Sequence, residues 1–247
     1  MLRSAAPARI RGGEIQLQHS VNFLELIAGG KIPEVLIGTW IVMGILIVFG
    51  FVARASLMRA ADPVVPEERV GVRSIAEVFV EWFDTFAHDV LETHHYRQWV
   101  PFFGTLFVFI LAANIFGLIP GMEPPTGDSD LTFALGTIVF VFFVYQGLSH
   151  GAGKYLQNDL VGPVWWLAPL MVPINLADNL FRPFSLGIRL YANMFADHTV
   201  LGIFTGLTKL IIPLAFYALG SIVCIIQAII FVVLAMSYVR LATSHGH

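Results

Sequence analysis

The chain has 247 residues, of which 57% are hydrophobic and 13% charged, and a formal net charge of -3. This composition lies outside that of soluble globular domains and reads as a membrane protein, and with no Lys/Arg-rich run it excludes a nucleic-acid partner. The single cysteine, Cys224, lies in an apolar run; it excludes an intrachain disulfide and a Cys-based zinc site, and reads as a small buried hydrophobe.

The opening MLRSAAPARIRG is Arg-rich and acid-poor, as in organellar transit peptides, but no apolar signal core follows, so residues 1–34 are expected to form a polar tail. Spanning a bilayer takes about 20 apolar residues. Three long gaps between charges meet that need: 35–53 (VLIGTWIVMGILIVFGFVA), 98–119 and 131–153. A fourth apolar region, 164–204, is interrupted by charges, and a fifth, 210–239, has none. Thirty helical residues cover about 45 Å, longer than the hydrocarbon core, so the fifth helix is expected to tilt. Residues 73–97 differ: Ile75, Val78, Phe79, Trp82, Phe83, Phe86 and Val90 recur at helical spacing opposite Glu77, Glu81, Asp84, His88 and Glu92. That pattern predicts an amphipathic helix lying at the interface, its acidic face suited to a contact between subunits. The expected fold is thus all-α and polytopic, one membrane domain over 35–247 with about five spanning helices and an interfacial helix.

If five spans alternate, Arg54, Arg59, Arg69, Arg73, Arg97, Lys154 and Arg240 fall on one side, while the GMEPPTGDSD loop opposite has no basic residue. The positive-inside rule makes the first side cytoplasmic, with the N-terminus outside; Arg3, Arg9, Arg11 and Lys31 of the tail argue against that orientation.

The fourth region carries the chemistry. Asp178, Arg182, Ser185, Arg189, Asn193 and Asp197 are spaced 4, 3, 4, 4 and 4, which predicts one polar helix face. It runs for about 28 Å at 1.5 Å per residue, close to the hydrocarbon thickness. Each charge near the bilayer centre costs about 2.5–3.5 kcal/mol, so retention points to function, and a continuous polar line suits a translocated ion. Asp178 and Arg182 could equally form a local i,i+4 pair. Arg189 has no acid at three or four residues' distance, and the fifth region has none at all. A guanidinium stays protonated when buried and demands a counter-charge, which points to a carboxylate on another chain. Pro183 leaves the Asn179 carbonyl without its helical donor and either kinks the helix for packing or opens it to water. Gln227 and Ser221 are polar groups on the apolar fifth helix, and Gln227 can serve as an interhelical hydrogen bond.

PFSLGIRLYANMFADH, followed by IIQAIIFVVLAMSYV, resembles the two signature helices of subunit a of the F-type ATP synthase, and WVPFFGTLFVFILAANIFGLIPG, DLTFALG and the amphipathic helix extend the likeness over nearly everything after Leu36. The resemblance implies a non-catalytic proton-channel subunit whose two long C-terminal helices face a ring of c subunits, each with one buried carboxylate. It implies further partners in subunit b of the peripheral stalk and the other synthase subunits, and residence in a bacterial inner membrane or an organellar energy-transducing one. It makes Arg189 the family's arginine, Asn193 the asparagine one turn later, Gln227 the glutamine of the last helix and Ser185 a small polar position of the signature. Two positions depart from the pattern. His198 stands where many members have glutamate, and Gly220 where members with histidine there often have an acid; Asp197 and His198 are therefore expected to share the proton-handling role. Asn175 stands where an acid is frequent, and Asp178 is expected to take over that task. On the expected orientation Asn175, Asp178 and Arg182 lie cytoplasmic to Arg189, and Asn193, Asp197 and His198 outside it.

Neither His198 alone nor the adjacent, diverging His94 and His95 makes a metal site, and no cofactor is expected. GLSHGAGK lacks the pattern of a phosphate loop, and no nucleophile elbow or zinc-protease helix occurs. A secondary transporter would show two repeated halves, and a respiratory-pump subunit would spread Lys and Glu over several spans; here the charges concentrate on one.

Overall fold

The computed structural model describes residues 34–59, 71–92, 96–119, 122, 124–149, 168–207 and 211–244. The expected tail before residue 34, Arg69, His94 and His95, and the GLSHGAGK segment from His150 through Lys154 lie outside them. Among the described residues there is no strand. Six α-helices follow in order: α1 Glu34–Arg59, α2 Val72–Leu91, α3 Val100–Phe116, α4 Ser129–Ser149, α5 Ala168–Leu207 and α6 Ile211–Ser244, with short 3-10 turns at Tyr96–Gln98 and Pro125–Gly127.

Three stretches are long and apolar enough to cross a membrane, Val35–Met58, Ser129–Ser149 and Pro213–Thr243, while α3 is a shorter apolar helix. The 40-residue α5 fails that measure because Asp178, Arg182, Arg189 and Asp197 dilute its hydropathy, although at about 60 Å it is the longest element. Local chemistry sets several ends. Pro101 opens α3, where its missing N–H costs nothing. Asp128 Oδ1 accepts the Asp130 N–H at 2.7 Å and caps the start of α4.

The amphipathic helix is shorter than expected. It stops at Leu91 because Glu92 turns into the left-handed region (φ 48°) and sends its N–H back to the His88 carbonyl. Its inward face also differs from the expected stripe. Phe83, Ala87 and Leu91 are buried and Phe79, Phe86 and Val90 pack against the core, but Ile75, Val78 and Trp82 stand exposed. The expected stripe spans more of the circumference than α1, α3 and α6 together cover, so its outer edge is left as apolar surface.

Phe83, Trp99, Phe103, Ile110, Leu190 and Phe231 form the centre of the core, where α2, α3, α4, α5 and α6 meet. Phe102 stacks on Phe142 at 4.0 Å between centroids, pinning α3 to α4. The crossing of α4 and α5 is closer still. A Cβ on Gly136 would lie 2.6 Å from the Pro183 carbonyl oxygen, and one on Gly187 would lie 3.1 Å from both Phe133 Cδ1 and the Thr132 carbonyl oxygen. Small residues let two backbones approach in lipid, where van der Waals contact replaces the hydrophobic effect as the cohesive force. α5 runs on as helix through both Pro173 and Pro183. α1 lies to one side, its Gly38 against Pro125 and its outer face, with Trp40 and Phe51, bare.

Candidate functional site

The polar residues of α5 wind around the helix. Their mean spacing exceeds 3.6, so over the 19 residues from Asp178 to Asp197 the line turns by roughly 100°. Three different surroundings result where the spacing predicts one face.

At one end, Arg182 is drawn inward. Its Nη2 donates to Asp178 Oδ2 at 2.8 Å, and its guanidinium carbon stands 5.8 Å from the Phe143 ring centre and 5.5 Å from that of Tyr238. The Arg182 side chain is 17% exposed against 64% for Asp178, so the arginine is held by rings of α4 and α6 while the carboxylate reaches outward. The local i,i+4 pair is therefore formed, with Nη1 of Arg182 buried and making no hydrogen bond among the described residues. Asn175, one turn before Asp178, is half-buried.

In the middle, Arg189 points away from the bundle. It is exposed, as are Ser185, Ile188 and Ala192 around it, and among the described residues no hydrogen bond or ion pair reaches it. One turn on, Asn193 Nδ2 donates to Gln227 Oε1 at 3.0 Å, joining α5 to α6. Gln227 is buried and its own Nε2 has no acceptor among the described residues.

At the far end, Asp197 and His198 part company, because adjacent helical residues diverge by about 100°. Asp197 leans on α6: a Cβ on Gly220 would lie 2.7 Å from its Oδ2. His198 leans on the end of α3: a Cβ on Gly117 would lie 2.9 Å from its Nε2. The space over Gly220 is thus filled by a carboxylate from the facing helix. Both side chains are half-buried.

The seam from Asp197 through Asn193 and Gln227, the outward Arg189 and the inward Arg182 lie within one match to known proteins. Residues 36–240 match the family described as ATP synthase A chain. A relative from Bdellovibrio bacteriovorus, described as ATP synthase subunit a, is 38% identical over 234 residues, covering 92% of this chain and all of its own length. The chain belongs to the ATP synthase subunit a family. Relatives of the same description from Sorangium cellulosum (36% identical, 82% of this chain and 81% of its own) and Solibacter usitatus (43%, 63% and 66%) agree.

Sequence reasoning missed a buried polar cluster in this member of the family. Asn114 of α3 is fully buried; its Oδ1 accepts from Thr126 Oγ1 at 2.7 Å, and its Nδ2 donates to the Cys224 carbonyl at 3.5 Å. The bonds tie α3, the Pro125–Gly127 turn and α6 together one helical turn from Gly220. An amide inside an otherwise charge-free apolar run was the available signal. Gly117 and Gly220 gave none, since the space a glycine leaves has meaning only once its neighbour across the interface is known.

Proposed function

We infer that this chain is the ion-translocating subunit a of the membrane sector of an ATP synthase in a bacterial inner membrane, coupling proton flow to rotation of a c ring and hence to ATP synthesis. The observation that carries this reading is the outward Arg189: a mid-helix cation, exposed and unpaired among the described residues, on a face that no other described helix covers. A cation so placed calls for a carboxylate on a facing partner, and a ring of c subunits with one buried acid each supplies it. The b subunit and the remaining synthase subunits complete the assembly, and the chain itself catalyses no hydrolysis.

Two half-paths meet at Arg189. From outside, a proton passes His198 and Asp197, then the Asn193–Gln227 seam, and neutralises a ring carboxylate, which can then turn into lipid. On the other side, the positive field of Arg189 favours the ionised ring carboxylate, so the proton leaves toward Ser185, Arg182, Asp178 and Asn175. Because a guanidinium does not release its proton, Arg189 blocks a direct leak. Moving one charge through 100 mV supplies about 2.3 kcal/mol, which rotation carries to the catalytic subunits.

Arg189→Ala tests the reading. The variant complex is expected to assemble in normal amount and to lose ATP-driven acidification of inverted membrane vesicles; normal acidification by an assembled Arg189→Ala complex refutes it.

A further inference from the structure

We propose that Gly220 and Gly117 are positioning residues that separate Asp197 from His198 and so set the order of the outer relay, with the imidazole first and the carboxylate second. The proposal rests on the proton path above and adds to it a sequence of steps and two residues that carry no proton themselves.

The geometry on each side of α5 differs in kind. His198 Nε2 stands over Gly117, the capping residue of α3, and Pro124 crowds the same point. That is the rim, where α3 ends and the connection to α4 begins. Asp197 instead sits over Gly220, with Leu118 Cδ2 3.2 Å from the place a Cβ would take. From Gly220 the α6 seam leads seven residues, about 10 Å, to Gln227 and its bond from Asn193. Side chain 198 thus faces the connecting loop, and side chain 197 faces the interior seam.

Gly136 and Gly187 are close to backbone across the α4–α5 crossing, whereas the nearest neighbours of Gly220 and Gly117 include the two side chains of the outer relay. A Cβ added at Gly44, Gly50 or Gly202 would meet nothing within 4 Å, whereas at Gly220 it would come within 2.7 Å of Asp197 Oδ2 and 3.5 Å of its Cγ. The Asp197 carboxylate is half-buried, and its Oδ2, facing α6 over Gly220, can hold a proton on its way to the seam. An imidazole suits the step before it, because it accepts a proton at one ring nitrogen and releases one from the other. His198 gains a proton on the loop side, becomes imidazolium, and gives up a proton on the Asp197 side. A neutral imidazole and a carboxylic acid result, and the acid then passes its proton into the seam.

The test uses the intact synthase in proteoliposomes, reading proton conduction driven by an imposed potential. Gly220→Ala is expected to displace the carboxylate and slow conduction by about tenfold to a hundredfold, the cost of a misplacement near 1 Å. In an Asp197→Gly background, where no carboxylate is left to displace, adding Gly220→Ala is expected to cost nothing further. The same loss in both backgrounds assigns Gly220 to helix packing and overturns the proposal. For the order, imidazole buffer on the face carrying the Pro125–Gly127 turn is expected to restore conduction to His198→Ala, and acetate there to leave Asp197→Gly slow. Rescue of the carboxylate variant without rescue of the imidazole variant reverses the order and overturns it. Normal conduction by Asp197→Gly alone is a separate result: it refutes the half-path itself. Gly117→Ala is the poorer probe, since its methyl would also collide with Pro124.

Discussion

Arg189 and Arg182 are the same residue type seven positions apart, yet their surroundings assign them different work. Arg182 is sandwiched by Phe143 and Tyr238 and paired with Asp178, so its aliphatic stem and planar head both contribute to packing. Arg189 touches no partner among the described residues, and its charge is directed outward. Arg189→Lys is accordingly expected to fail in ATP-driven acidification almost as fully as the alanine variant, because a compact ammonium lacks the planar fork and can lose its proton when desolvated. Asn193 and Gln227 are expected to act as a unit. Asn193→Ala and Gln227→Ala each remove one bond, worth about 0.5–1.5 kcal/mol, and the double variant is expected to conduct protons little more slowly than the slower single one. Simple multiplication of the two losses would show the residues acting independently. The residues of this site were legible as types and spacings, because charges are conspicuous in an apolar chain. Their directions were not: neighbours 197 and 198 read as one proton-handling position until α6 and the end of α3 were seen on opposite sides of them.

Among the elements, α1, α3, α4 and α6 were legible as uncharged runs, since lipid admits few alternatives to a helix there. Ends were harder. Nothing in the sequence announced that Glu92, a residue with a Cβ, would take up a left-handed conformation and stop α2 six residues early. α5 was legible through the charges that keep it from reading as an ordinary span. Its contact with α4 depends on two glycines, and that dependence can be measured. Gly136→Ala is expected to destabilise the subunit by about 1–3 kcal/mol, the usual cost of overpacking, because the methyl would press on the Pro183 carbonyl. Gly44→Ala on α1 serves as the control. With open space around it, the same change is expected to be neutral or stabilising by up to about 1 kcal/mol. Thermal denaturation of the detergent-solubilised complex reads both, and equal behaviour of the two variants would count against a glycine-dependent crossing.

At the scale of the whole molecule, α2 and α6 are joined by Arg240, which donates to Glu92 and to the Val90 carbonyl. Both side chains of that pair are largely exposed, so Arg240→Ala is expected to cost no more than about 1 kcal/mol in the same denaturation measurement. The fold puts this contact and Arg97 at one end of the bundle and Asp128 at the other. That arrangement makes the orientation testable in a Cys224→Ala background, where no native thiol remains. An impermeant maleimide is expected to reach Arg97→Cys from the cytoplasmic face and Asp128→Cys from the outer face, and the opposite pattern would invert the two half-paths.

The bare face of α5 also bears on the life of the chain before assembly. With Phe181, Phe184 and Ile188 uncovered beside an outward guanidinium, a newly inserted copy holds an ion against hydrocarbon, on the function proposed above, at a standing cost of about 2.5–3.5 kcal/mol until the ring arrives. Arg189 therefore distinguishes an orphan from an assembled subunit. Unassembled copies have reason to tilt, thin the surrounding bilayer or expose the helix to quality control, and on the function proposed above one residue serves both as a motor part and as a signal that the part has not yet been fitted.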